Sequence, residues 1–167
     1  MQEHFLSLKS PATSTQDYRI PPARYLNVRW RLWTAVAALS FASGHAAIFN
    51  TIINLCSEGD ELVSSINIYG GAINLLGITL KRMGITVKFV DPDDLSAWEN
   101  AVTDKTKLFF TELIGNPNAN VADIEEIGKI AHKHGIPFVV DSTFTTPYLC
   151  RPIEWGADLV IHSATKF

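Results

Sequence analysis

Residues 137–167, "PFVVDSTFTTPYLCRPIEWGADLVIHSATKF", contain two short apolar runs, "PFVVD" and "DLVIHS", and each run leads directly into small polar residues. Apolar runs of about four to eight residues, bounded by turn residues, are typical of strands buried on both faces of a parallel sheet. The carboxyl ends of parallel strands meet at one edge of a sheet. This stretch therefore predicts two neighbouring strands whose polar ends share one edge.

The same pattern extends back along the chain to Phe41. Three earlier apolar runs, "ELVSS", "TVKFV" and "TKLFFTEL", alternate with segments of helical period. Such alternation predicts an α/β fold, in which a mostly parallel sheet is covered by helices. The predicted helices span residues 45–56, 70–82, 94–102 and 121–134.

Capping residues support these helix boundaries. Asp93 or Asp94 is expected to cap the third helix and Asn120 the fourth, because their side chains accept hydrogen bonds from first-turn amides. Glycines follow three of the helices at positions where a left-handed residue ends a helix. They are Gly59, Gly84 and Gly135.

Residues 1–35 do not continue the pattern. This segment has two adjacent prolines, arginines around Trp30 and Trp33, and no clear hydrophobic period. We predict an irregular arm here, followed by one domain over residues 36–167.

Composition limits the classes of function. The chain has 167 residues, a formal net charge of −3 and 47% hydrophobic residues, which indicates a globular domain without a basic surface for nucleic acid or anionic membranes. Cys56 and Cys150 have no metal-ligand spacing, and buried free thiols are expected. No signal-peptide core or span of about 18 apolar residues occurs. We expect a cytoplasmic protein that acts on small molecules and has no metal site.

The strand ends carry a coherent set of chemical groups. Asp141 and Lys166 follow the two runs that open this section, and Glu112 ends the run before them. A lysine amine condenses with an aldehyde, a carboxylate holds a pyridine nitrogen protonated, and hydroxyls bind phosphate. These are the requirements of pyridoxal 5'-phosphate, for which the same edge also offers Asn116, Thr143, Ser163 and Thr165.

Two further features suit that cofactor. The segment "ASGHAA" places Gly44 and His45 at a predicted helix start, where backbone amides can approach a phosphate. Tyr69, between a strand and the next helix, can stack on the cofactor ring. Taken singly, each residue also has an ordinary interpretation: a cap, a turn residue, a solvated lysine or a half-buried aromatic.

The segments "ASGHAAIFNTIINL", "GDELVSSINIYGG", "ELIGNPNANVADI", "VVDSTFTTPYLCRP" and "GADLVIHSATKF" together resemble the Cys/Met-metabolism family of pyridoxal-phosphate enzymes. The resemblance implies the large cofactor domain of a fold-type I enzyme. Within the family it favours a γ-replacement transferase of methionine biosynthesis, which makes homocysteine or methionine from O-acetylhomoserine and sulfide or a thiol. The alternatives are another member, such as a cystathionine gamma-synthase or methionine gamma-lyase, and a non-catalytic fragment.

The resemblance also implies a role for each residue of the set. Lys166 matches the Schiff-base lysine, Asp141 the partner of the pyridine nitrogen and Tyr69 the ring-stacking tyrosine. Backbone amides of Gly44 and His45, with the hydroxyls of Ser163 and Thr165, would meet the phosphate. Glu112, Asn116 and Thr143 would surround the ring and its phenolic oxygen.

Two expectations concern the ends of the chain. The family has a smaller C-terminal domain after the lysine and a "YSRxxNPT" segment upstream, and this sequence shows neither. We therefore expect a truncated fragment that binds the cofactor weakly and turns nothing over, whereas the intact parent would be a homo-oligomer, a dimer or tetramer. Codon degeneracy also allows residues 1–35 to be an out-of-frame reading of a normal family sequence.

Overall fold

A computed structural model describes residues 4–8, by their backbone, and residues 37–166. The strands are β1 (His4–Leu8), β2 (Ala37–Phe41), β3 (Glu61–Ser65), β4 (Thr86–Val90), β5 (Thr106–Glu112), β6 (Phe138–Asp141) and β7 (Leu159–His162). They form one seven-stranded sheet in the order β2-β1-β7-β6-β5-β3-β4. Strands β3 to β7 run parallel, as predicted, and β1 pairs antiparallel with both β2 and β7.

The helices are α1 (Gly44–Leu55), α2 (Gly70–Asn74), α3 (Leu95–Ala101), α4 (Ile124–Lys133) and α5 (Thr146–Leu149). A π-helical segment, Leu75–Leu80, continues α2, and a 3-10 helix spans Pro152–Trp155. The α/β fold class is confirmed, and each predicted helix and strand forms close to its predicted position, although the start of α4 differs. Within the described residues, no helix is both long and apolar enough to cross a bilayer.

Strand side chains alternate between two cores, one on each face of the sheet. In β5, Leu108 and Phe110 pack with α1 and α2, whereas Phe109 packs with Trp98 of α3 and with α4. The Trp98 and Phe109 ring centroids are 5.1 Å apart. Burial on both faces explains why the strands read as unbroken apolar runs.

The helix ends agree with prediction at most positions. Asp94 caps α3 by accepting a hydrogen bond from the Ala97 amide, and the three predicted glycines have φ values of 89°, 78° and 67°. These positive values are readily adopted by glycine, which has no Cβ.

The predicted cap of α4 is wrong. The cap is Asp123, which accepts from the Glu126 amide, and not Asn120. Val121 still forms a β-bridge with Ile114, so the chain is extended there and the helix begins three residues later than predicted. The prediction missed this bridge because it pairs residues on opposite sides of a loop.

Strands β1 and β2 were not predicted. Residues 4–8 lie within the segment predicted to be irregular, yet their backbone pairs with the edge of β7. A five-residue strand can form through backbone hydrogen bonds at an open sheet edge without a hydrophobic period. The remainder of the predicted arm, residues 9–35, lies outside the described residues, and its out-of-frame interpretation stays a prediction.

The two cysteines are free thiols. Cys56 is buried beneath α1, as predicted, and burial raises its pKa to about 11. Cys150 is only half-buried, because the short helix α5 that precedes it lies at the surface.

Candidate active site

A cavity of about 590 Å³ opens at the carboxyl ends of β5, β6 and β7. It is lined by all ten residues that the sequence singled out: Gly44, His45, Tyr69, Glu112, Asn116, Asp141, Thr143, Ser163, Thr165 and Lys166. They come from six separate segments, so the parallel sheet brings them together as its topology predicts.

The acidic side of the cavity is formed by neighbouring strand ends. Glu112 and Asp141 are the last residues of β5 and β6 and lie opposite each other in register. Burial raises the pKa of Asp141, although the Thr143 amide, 2.9 Å from Asp141 Oδ1, partly offsets this. Burial and the charge of Asp141 raise the pKa of Glu112 to about 7.

A small polar pocket lies where α1 begins. Ser43 caps α1 by accepting from the Ala46 amide at 2.9 Å, which leaves the first-turn amides of Gly44 and His45 without intrahelical acceptors. A Cβ on Gly44 would lie 2.9 Å from Ser163 Cβ. Only glycine therefore allows the helix start to approach this closely, and the first-turn amides with the helix dipole favour an anion.

The segment after β7 is held by its neighbours. The Ser163 amide donates to Thr143 Oγ1 at 2.8 Å, and the Ser163 and Thr165 hydroxyl oxygens are 3.2 Å apart. Lys166 closes the turn, because its amide donates to the Ser163 carbonyl at 3.2 Å. Its side chain is exposed to the cavity.

His162 lies buried behind this segment. Its Nδ1 is 3.1 Å from the Ser142 carbonyl oxygen, and because a carbonyl only accepts, Nδ1 carries the proton. Burial lowers the pKa of His162 to about 4, so the ring is neutral at physiological pH. It links the ends of β6 and β7 without facing the cavity.

Tyr69 lines the cavity at the start of α2. Its amide donates to Glu112 Oε1 at 2.9 Å, and its side chain is 54% exposed. The exposed ring has room to cover a flat ligand.

Four further residues line the cavity that the sequence did not single out: Ser43, Ile48, Ile114 and Phe144. Helical period could have found Ile48, one turn after Gly44, and the capping pattern could have found Ser43. For Ile114 and Phe144 there was no local signal, because loop geometry turns them toward the cavity.

These residues fit pyridoxal phosphate. Asp141 is a buried carboxyl that accepts hydrogen bonds from Thr143, and a protonated ring nitrogen would supply a positive partner. The first turn of α1 provides amides for a phosphate, and Lys166 provides an amine. Within the described residues, no group of three or more His, Cys, Asp or Glu side chains could hold a metal ion.

Comparison with known proteins gives a consistent result. The profile of the family described as "Cys/Met metabolism PLP-dependent enzyme" matches residues 27–167. An O-acetyl-L-homoserine sulfhydrylase of Corynebacterium glutamicum is 47% identical over 79% of this chain and 30% of its own length. An L-methionine gamma-lyase of Pseudomonas putida is 45% identical over 78% of this chain and 33% of its own length.

A solved structure extends the comparison to the fold. A Campylobacter jejuni protein described as an O-acetylhomoserine (thiol)-lyase, with a pyridoxyl-lysine phosphate residue, matches with a TM-score of 0.72. It is 44% identical, over 73% of this chain and 30% of that chain. The present chain thus spans about a third of the length of the relatives it matches.

Proposed function

The chain belongs to the Cys/Met-metabolism family of pyridoxal-phosphate-dependent enzymes, and we propose that it forms the cofactor-binding part of a γ-replacement transferase. The substrates would be O-acetylhomoserine and sulfide or a thiol, and the products homocysteine or methionine with acetate. The observation that carries this proposal is the buried Asp141 carboxyl in one cavity with Lys166 and the start of α1.

Each residue has a proposed task. Asp141 would accept the hydrogen bond of the protonated ring nitrogen, and Tyr69 would cover the ring. Gly44 and His45 amides, with the Ser163 and Thr165 hydroxyls, would bind the phosphate. The remaining three cavity residues, Glu112, Asn116 and Thr143, would line the ring site.

Lys166 would have two tasks in turn. Its amine would hold the cofactor through the aldehyde carbon and, when free, would move protons at the substrate's α and β carbons. When bound, pyridoxal phosphate supplies an electron sink for the negative charge that develops beside the substrate nitrogen. Asp141 supports that sink because it keeps the ring nitrogen protonated.

Cofactor binding is tested with the purified chain. Pyridoxal phosphate is added, the mixture is reduced with borohydride, and peptide mass spectrometry locates the pyridoxyl group. We expect one modified residue, Lys166. Modification spread over surface lysines, without enrichment at Lys166, would contradict the proposal.

The reaction class is tested by a chimera in which residues 37–166 replace the matching segment of the C. glutamicum relative. The chimera receives O-acetylhomoserine with sulfide, O-succinylhomoserine with sulfide, or methionine alone. We expect homocysteine from the first mixture to form fastest. Faster release of methanethiol from methionine would instead favour a γ-lyase.

We also propose a homo-oligomer in the cytoplasm. Three large apolar side chains in α5 and the 3-10 helix after it are exposed in the described structure: Tyr148 at 85%, Leu149 at 73% and Trp155 at 51%. A second copy of the chain would remove this surface from water. The two free thiols support a reducing compartment. Light scattering of the chimera measures the number of subunits.

A further inference from the structure

One hydrogen bond joins the acidic side of the cavity to the ring-covering side. Glu112 Oε1, at the end of β5, accepts from the Tyr69 amide at 2.9 Å, across 43 residues of sequence. The contact uses the Tyr69 backbone, so it fixes where the residue lies and leaves its phenol ring free.

Tyr69 has few other constraints on its position. It is the N-cap of α2 but makes no side-chain capping hydrogen bond. Its ring lies against Gly71, where an added Cβ would overlap the ring carbons. Since the ring is about half exposed, packing does little to hold it. The Ile73 amide donates to the Tyr69 carbonyl at 3.0 Å and ties the residue to α2, whereas the Glu112 carboxyl ties it to the sheet.

The anchor is sensitive to charge. Glu112 faces Asp141 from β6 and the Tyr69 amide from α2, while His45 of α1 and Lys166 after β7 line the same cavity. Burial and the Asp141 charge raise the pKa of Glu112, and the Tyr69 amide lowers it. An ionised carboxylate accepts the amide hydrogen bond more strongly than a neutral acid does.

We propose that Glu112 is a positioning residue that holds Tyr69 over the ring site through the Tyr69 amide and links that hold to the charge on Asp141. A positive partner at Asp141 would favour the ionised form of Glu112, and this would strengthen the hydrogen bond that Glu112 accepts from the Tyr69 amide. The hydrogen bond that positions Tyr69 is seen without cofactor, whereas its role in cofactor binding rests on the proposed function.

The first test needs no cofactor. In the ¹⁵N-labelled 167-residue chain, the Tyr69 amide resonance is followed from about pH 5 to about pH 9. We expect it to titrate with a midpoint near pH 7, where Glu112 ionises, and to lose this titration in Glu112→Gln. Glu125→Gln, an exposed acid on α4, is the matched control and should leave the titration intact. A Tyr69 amide that does not titrate, or that still titrates in Glu112→Gln, would overturn the proposal.

The second test separates positioning from direct contact. The dissociation constant of pyridoxal phosphate is measured for the wild type, Glu112→Ala, Tyr69→Ala and the double variant. We expect Glu112→Ala to weaken binding by roughly 10-fold in the wild type and by less than about 2-fold when Tyr69 is already alanine. Additive losses would mean that Glu112 contacts the cofactor itself. If the wild type bound no cofactor, the proposed function would fail, and the amide titration would still decide the role of Glu112.

Discussion

Acidic residues at the two ends of the sheet differ in their ion pairing and in their pKa values. At the amino ends of β5 and β6, a cavity of about 650 Å³ is lined by Glu99, Lys107 and His134 among others. At the carboxyl ends lies the cavity of about 590 Å³ that holds Glu112 and Asp141. The cavities have similar volumes, so size does not distinguish them.

Two acids near the amino ends, Glu61 and Glu99, are paired with cations. Glu99 lies 2.8 Å from both Lys133 Nζ and His134 Nε2, and these hydrogen bonds lower its pKa. Glu61 lies 2.7 Å from Lys88 Nζ and accepts from the Thr103 hydroxyl, and both contacts lower its pKa. These ion pairs link α3 to α4 and β3 to β4.

Glu112 and Asp141, at the carboxyl ends of β5 and β6, have raised pKa values. Among the ion pairs between described residues, none includes Glu112 or Asp141. A buried carboxyl without a cation costs stability. The difference indicates that the carboxyl-end acids are arranged for a ligand, whereas the amino-end acids serve the fold.

The strongest test of this comparison replaces one lysine at each end of the sheet with alanine. Lys166→Ala should abolish borohydride-trapped attachment of pyridoxal phosphate, because the amine that forms the covalent bond is gone. Lys107→Ala, in the amino-end cavity, should leave attachment unchanged. Mass spectrometry of the reduced proteins gives the result, and equal loss in both variants would erase the distinction between the ends.

The next test removes one acid at each end. Asp141→Asn should weaken cofactor binding by about 30-fold to several thousand-fold, because losing a buried charged contact costs about 2–5 kcal/mol. The same change should stabilise the cofactor-free protein above neutral pH, since it removes a buried acid with a raised pKa.

Glu61→Gln is the control for that test. It should lower the free energy of unfolding by roughly 1 kcal/mol, because it breaks a paired acid, and should not change cofactor binding. Binding is read by absorbance titration and stability by urea denaturation. If Asp141→Asn destabilised the cofactor-free protein at pH 8, this would contradict the view that Asp141 is a buried acid without a compensating charge.

A pH test sharpens the comparison further. The folded pKa of Glu112, about 7, lies above its ordinary value of 4.5. Between these values the folded state holds a proton that the unfolded chain has lost, so the free energy of unfolding falls as pH rises, by about 3 kcal/mol at most. His162 acts in the opposite direction between pH 4 and 6.5, because its folded pKa is lowered.

Comparison of the wild type with Glu112→Gln isolates this contribution. The variant should gain stability relative to the wild type between about pH 5 and about pH 8, measured by denaturation at each pH. An unchanged difference across that range would show that Glu112 does not titrate with a raised pKa.

The smallest expected effect concerns the helix start. Gly44→Ala should weaken cofactor binding by about 10-fold, or about 1.4 kcal/mol, because the new methyl group would push α1 away from Ser163. Gly77→Ala is the matched control, since its Cβ would lie 3.7 Å from Phe89, an ordinary contact distance. Inorganic phosphate serves as a second probe, and equal affinity in wild type and Gly44→Ala would speak against a phosphate site there.

The sequence alone determined the parallel sheet and the strand ends that carry the site. Apolar runs such as "PFVVD" must be buried on both faces, and parallel strands place their following residues at one edge. That rule selected seven of the ten residues that the structure brings into one cavity: Glu112, Asn116, Asp141, Thr143, Ser163, Thr165 and Lys166. Gly44 and His45 came from the predicted helix start, and Tyr69 from its position between a strand and a helix. Local capping chemistry likewise narrowed the α3 cap to Asp93 or Asp94, of which the structure has Asp94, and predicted the three left-handed glycines.

The tertiary structure alone decided which contacts join distant segments. The pairing of β1 with β7 and the hydrogen bond from Tyr69 to Glu112 depend on segments far apart in the chain, and the bridge that delays the start of α4 closes a loop between Ile114 and Val121. The sequence also could not predict the charge state of the acids, because Glu61 and Glu112 are the same residue type at opposite ends of strands. Burial and neighbouring charge, which exist only after folding, lower the pKa of one and raise that of the other.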